Sequence, residues 1–255
     1  MIRRSKSQKS KQPTLLLAIW FVAMAIAVAV TVPLQIAIGL PFELYALVTL
    51  APFIAYLATI PLRHWRPSRW QTVSAARWAM SIISACLTIG VVGLLFVAIG
   101  YKPHWQLPTA GASIGVFLLL QIFGAFTEEV GWRGLVQHCG EAYGHRLVVA
   151  GLSGFIFGLL HFSFWSLGFI PSFTFSLTAM FLALTIVTTY NGSFWQRMVP
   201  ATILHTGANL MLVVFAPNDL AFATSPIVLA ATIVMFIFAL CYRQVWKKVY
   251  ENGAS

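Results

Sequence analysis

Eight long apolar runs separated by short polar stretches dominate the sequence, at about residues 14–40, 44–62, 78–99, 109–127, 147–165, 173–190, 199–215 and 225–242. A helix needs about 20 apolar residues to cross the hydrocarbon core of a bilayer, so runs of this length commit the chain to a membrane. The fold class that follows is all-α, a polytopic membrane helix bundle with about eight transmembrane helices. One transmembrane domain is expected over 14–246, after a basic arm at 1–13 and before a tail at 247–255. Composition agrees, because only 9% of the 255 residues are charged, where a soluble domain carries about a quarter.

The first run follows Arg3, Arg4, Lys6, Lys9 and Lys11, as a signal peptide would. It is longer than a signal-peptide core and lacks a clear cleavage site, so it reads as a retained helix, kinked near Pro33. Bases in short loops collect on the cytoplasmic side. With the N-terminus inside, the inner segments hold 15 of the 16 Lys and Arg residues and the outer loops only Lys102. Both termini are therefore expected to be cytoplasmic, in a multi-pass protein of the cell membrane. The net charge of +10 gives no sign of nucleic acid, since the bases flank apolar runs. Cys86, Cys139 and Cys241 lie far apart, which excludes a disulfide framework and leaves packing as the role of each. The pairs Gly111 with Gly115 and Gly154 with Gly158 are spaced for close approach of helix backbones.

Of the six carboxylates, Glu43, Asp219, Glu251 and Glu141 fall in loops, turns or the tail. Glu128 and Glu129 end the fourth apolar run. A charge at the bilayer centre costs at least about 2.5 kcal/mol, which makes an embedded pair a candidate functional site. Glu129 and Arg133 are four apart and share a helix face, whereas Glu128 is rotated by about 100° from Glu129. Glu128 thus stands outside that pair as the candidate general base, with Glu129 and Arg133 supporting it. A carboxylate facing an apolar cavity is suited to taking and returning a proton.

Among the histidines, His64, His104, His138 and His145 sit in polar or flanking stretches, whereas His161 and His205 lie inside apolar runs where an unpaired ring is unfavourable. His161 falls on the face of Gly154 and Gly158, and Asn209 is four residues after His205. In a hairpin turning at Gly144 and His145, residues 128 and 161 would each lie roughly 24 Å from the turn. Counted from the outer ends, His161 and His205 come out roughly 15 Å deep and Glu128 roughly 25 Å, a tension that tilt, a misplaced loop or a bend at Gly124 would resolve.

The segments EEVGWR (Glu128 to Arg133), FGLLH (Phe157 to His161) and HTGAN (His205 to Asn209) resemble, in order and separation, the EExxxR, FxxxH and HxxxN motifs of the CPBP intramembrane proteases. That family is also called the type II CAAX prenyl protease or Abi family, and the resemblance covers about residues 110–215. It implies a multi-helix membrane fold and endopeptidase chemistry in a cavity open to the cytosol. Carried over by position, Glu128 and His161 would activate water, His205 and Asn209 would stabilise the oxyanion, and Glu129 and Arg133 would support the site.

Hydrolysis of a peptide bond needs a polarised water and donors aimed at the developing oxyanion, and a histidine and asparagine four apart supply two such donors. The rival is zinc held by Glu128, His161 and His205. No HExxH spacing accompanies them, and the metal-free glutamate reading is preferred. The expected partners are the lipid bilayer and a peptide or membrane-protein substrate. Two other functions compete: a non-proteolytic scaffold or bacteriocin-immunity protein of the same family, and a proton-coupled transporter, for which inverted repeats are missing.

Overall fold

The computed structural model describes residues 6–217 and 219–252. Arg3 and Arg4 of the expected basic arm, and residues 253–255 of the expected tail, lie outside the described residues. Among those described, the regular elements are all helical and no strand occurs, so the chain is an all-α, polytopic helix bundle. The α-helices are α1 (Lys6–Ile38), α2 (Ala51–Ala58), α3 (Ala75–Ala98), α4 (Ile114–Gly131), α5 (Gln137–Gly140), α6 (Arg146–Leu159), α7 (Phe169–Thr189), α8 (Phe194–Phe215), α9 (Leu220–Ala223) and α10 (Pro226–Asn252). A π-helical stretch, Trp132–Val136, joins α4 to α5, and 3₁₀ turns precede and follow α2 and follow α6.

Six of the eight apolar runs form helices long and apolar enough to span a bilayer among the described residues. The second and fifth form shorter helices, Leu47–Ala58 and Arg146–Leu159. Each is about 18 to 21 Å long at 1.5 Å per residue, less than the roughly 30 Å hydrocarbon core. The second run is interrupted at Thr59, where the chain passes into the 3₁₀ turn Ile60–Trp65 with Pro61 in its first turn, and proline removes one backbone donor that a continuing helix would use. α1 continues through Pro33 to Ile38, and the chain turns at Gly39 with φ +66°. The fourth run differs from its expected ending near residue 127: the helical path continues from Ile114 to Gly140.

The chain divides into two compact units. The first holds residues 1–70 and 109–149, the second 71–108 and 150–255. In the first, α1 packs on α2 and α2 on α4. Buried Gln35 secures the link from α1 to α2: its amide donates to the carbonyls of Tyr45 (2.9 Å) and Leu40 (3.2 Å), and its Oε1 accepts from the N–H of Leu47 (2.7 Å). One side chain thus satisfies backbone groups that a loop inside an apolar medium could not leave open.

In the second unit α7 packs on α10, and α3 packs on α8 and α10. α8 opens with a capping box formed by Ser193 and Gln196. The Gln196 side chain also accepts from the N–H of Val73 (3.0 Å) and donates to its carbonyl (2.9 Å). The glycine expectations separate here. A Cβ on Gly154 or Gly158 would run into Ala183, Ala179 and Ser176 of α7, so this pair does mediate close backbone approach. Gly111 lies instead in a loop with φ +84°, and neither it nor Gly115 meets a neighbouring element. Of the cysteines only Cys139 is buried, while Cys86 and Cys241 are exposed, which corrects the packing expectation for those two.

Candidate functional site

Glu128, Glu129 and Arg133 lie in the middle of the long fourth helical path, which continues beyond the apolar run to Gly140. Glu129 is 0% and Arg133 1% exposed, and Arg133 Nε lies 3.2 Å from Glu129 Oε2, the i,i+4 ion pair that the spacing requires. Glu128 is also buried, at 9% exposure, one residue before that pair. The π-helical turn starts at Trp132 and contains Arg133. Such turns insert an extra residue into the helix and are frequent at functional sites.

The first unit fixes this helix from outside the motif. A Cβ at Gly131 would overlap the ring and carbonyl of Pro52, so α4 reaches α2 at backbone distance only because residue 131 is glycine. Trp20 of α1, fully buried, donates from Nε1 to the Pro52 carbonyl (3.1 Å) and meets Trp132 edge-on with ring centroids 5.1 Å apart. Thr127 donates to the carbonyls of Thr49 (2.9 Å) and Gly124 (2.8 Å). Gly131 and Trp132 are therefore packing residues within the EEVGWR segment. Sequence reasoning did not single them out, and a glycine inside an apolar helical run was the available signal.

In the second unit, His161 departs from its expected place inside the fifth helix. α6 ends at Leu159, and His161 has φ −81° and ψ 73°, outside the helical region. The termination is explained by local hydrogen bonds that satisfy the last carbonyls of the helix. The His161 N–H donates to Gly158 (3.1 Å), its ring Nδ1 contacts the Phe157 carbonyl at 2.8 Å, and Trp165 Nε1 donates to Leu159 (3.0 Å). A carbonyl can only accept, so Nδ1 carries the proton in that contact and Nε2 of the neutral ring is the acceptor nitrogen. The departure from the helix also removes the basis for the depth count made along it.

His205, 4% exposed, lies on α8, with half-buried Asn209 one turn later on the same face. The ring of Phe157 meets both imidazoles edge-on, with centroids 4.5 Å from His161 and 6.0 Å from His205. Phe164 and Phe175 add further rings around His161, at 6.2 and 5.0 Å. The unit therefore brings His161 and His205 to one aromatic cluster, and Phe157 is its shared member. α8 can approach α3 because Gly207 carries no side chain: a Cβ there would overlap Ile89.

Among the described residues, no three His, Cys, Asp or Glu side chains are grouped so that they could hold a metal ion.

No curated protein matches the chain. Residues 109–211, which contain all three motifs, match the family described as Type II CAAX prenyl endopeptidase, Rce1-like, and this match together with six helices long and apolar enough to cross a bilayer among the described residues points to a membrane protein with a CAAX-protease-like segment.

Proposed function

We propose that the chain is an intramembrane endopeptidase that hydrolyses a peptide bond of a peptide or membrane-associated substrate by a glutamate mechanism. In this reading Glu128 takes a proton from the attacking water and returns it to the leaving amine. His161 assists through Nε2, the acceptor nitrogen left by the Nδ1 contact with Phe157. His205 and Asn209 donate to the oxyanion of the tetrahedral intermediate. Glu129 and Arg133 neutralise each other and hold the helix around the base.

The observation that carries the reading is the position of Glu128: a carboxyl group buried in an apolar helix, one residue before the Glu129–Arg133 ion pair. A carboxyl group buried in an apolar helix is a functional-site candidate on that ground. The orientation proposed with it places both termini in the cytoplasm, from the distribution of bases. A reporter fused after Ser255 that proves external would reject that orientation.

The decisive experiment compares wild type with Glu128→Gln, reconstituted in proteoliposomes, on a quenched-fluorescent peptide library, with melting measured in parallel. Cleavage by the wild type and its loss in a normally folded variant are expected. Wild-type cleavage by the variant would remove Glu128 as the base. Absence of cleavage in both, with the cellular phenotype kept by the variant, would favour the scaffold reading.

A further inference from the structure

The second unit carries another concentration of polar groups, which the proposed hydrolysis does not use. The start of α3, the end of α7 and the last turns of α10 enclose a narrow cleft of about 30 Å³ that opens to solvent. Its lining includes Arg77, Ser81, Thr188, Asn191, Arg243 and Trp246, and among the described lining residues none is acidic. Arg77 and Arg243 are exposed, whereas Ser81 and Thr188 are buried, so the cleft runs from a cationic rim to a hydroxylated floor.

Thr188 is the informative residue. Its neighbours Thr185 and Thr189 return their hydroxyls to the carbonyls of Phe181 (2.8 Å) and Thr185 (2.9 Å), four residues back along α7. Thr188 Oγ1 makes no such bond, although the residue is only 1% exposed and faces the cleft. A buried hydroxyl without a partner calls for a ligand or water to complete it.

The donors fit one class of ligand. Guanidinium groups match the geometry of phosphate oxygens, and hydroxyl and amide groups complete the shell of such an anion. The ends of α3 and α10 that supply Arg77 and Arg243 are those assigned to the cytoplasmic side by the base count, where the leaflet is rich in anionic lipid. Half-buried Tyr242 and Trp246 add the amphipathic rings that collect at headgroup level.

We propose that this cleft binds the phosphate of an anionic phospholipid headgroup, with Arg77 and Arg243 at its rim and the Thr188 hydroxyl at its floor. The site is independent of the peptidase reading. Its test is the melting of the purified full-length protein in detergent, titrated with phosphatidylglycerol, phosphatidylcholine or inorganic phosphate.

Phosphatidylglycerol is expected to raise the melting temperature of the wild type, and phosphatidylcholine is not. In Arg77→Gln with Arg243→Gln, the half-saturating phosphatidylglycerol concentration should rise at least about tenfold, the factor carried by one charge-assisted hydrogen bond. Thr188→Val keeps shape and both arginines, so it reads out the site even if the double variant folds poorly. It should raise that concentration about fivefold, as loss of one neutral hydrogen bond would. Equal half-saturation in wild type and both variants would overturn the site. An equal loss in Lys247→Gln with Lys248→Gln, whose side chains do not line the cleft, would overturn it too, by reducing the effect to general surface charge. Equal stabilisation by phosphatidylcholine would exclude an anionic headgroup, and equal stabilisation by inorganic phosphate would exclude lipid as the source.

Discussion

Glu129 and Arg133 meet within one helical stretch, 3.2 Å apart and almost wholly buried, whereas His161 and His205 come from different segments and each contact the ring of Phe157. The difference follows from charge. An ionised group in an apolar medium needs its countercharge at hand in every conformation the helix can take, and an i,i+4 partner guarantees that locally. A neutral imidazole needs only a hydrogen bond and a shaped apolar surround, which other elements can supply. The first unit therefore ties stability to its motif, while the second holds its motif residues by packing around them.

The largest expected effects test that division directly. His205→Ala and Asn209→Ala should each lower the cleavage rate by on the order of 10² to 10³ as oxyanion donors, and Glu128→Gln by about 10² to 10⁴ as the base. His205→Ala should do so with little change in melting. A collapse of folded yield in His205→Ala would break the comparison, because it would make the histidine as structural as the ion pair.

Next in size is the ion pair itself. Arg133→Ala should destabilise the fold by about 3 to 5 kcal/mol, since Glu129 would lose the countercharge that Arg133 supplies in a buried setting. Arg133→Ala with Glu129→Ala should recover part of that loss. Detergent melting of the two singles and the double gives the interaction term, and strictly additive losses would contradict the coupling.

The same contrast explains what could be read from sequence. The Glu129–Arg133 pair was legible because its partners lie four residues apart on one helix. Glycines 154 and 158 were legible as a packing face, for the same reason of short spacing. The aromatic setting of His161 was not: Phe175 comes from another helix, and α6 stops at Leu159 through hydrogen bonds made by the His161 and Trp165 rings. An apolar run of unbroken character gave no local sign of that stop. Gly111 and Gly115 show the limit of spacing alone, since their four-residue interval matches the Gly154 pair but Gly111 lies outside a helix.

Glycine substitutions sharpen the comparison at a smaller scale. Gly131→Ala in the first unit and Gly158→Ala in the second should each cost about 1 to 3 kcal/mol, because both would force backbone apart from a neighbouring element. Gly115→Ala, with open space around it, should leave melting almost unchanged. If Gly131→Ala lowers cleavage no more than its melting explains, the approach to Pro52 only stabilises the motif helix. A larger loss of rate would show that the approach also sets the position of Glu128.

The smallest effect is expected outside the matched segment, at Trp20. Its Nε1–H donates to the Pro52 carbonyl, and its ring abuts Trp132, so it joins α1 to the same contact that Gly131 makes possible. Trp20→Phe keeps an aromatic ring there but removes the donor, and one hydrogen bond of this kind contributes about 0.5 to 1.5 kcal/mol net. Melting should fall by about that amount. Activity then decides between two roles: a rate at a fully folded temperature equal to wild type makes Trp20 a stability clamp, while a fall in kcat with unchanged KM makes it a positioning residue for the glutamate helix. In the second unit the contact shown for His205 is the ring of Phe157, with centroids 6.0 Å apart. The same measurement on Phe157→Leu, which alters shape without removing any side-chain hydrogen bond, should therefore affect rate more than melting, the reverse of the balance expected at Trp20.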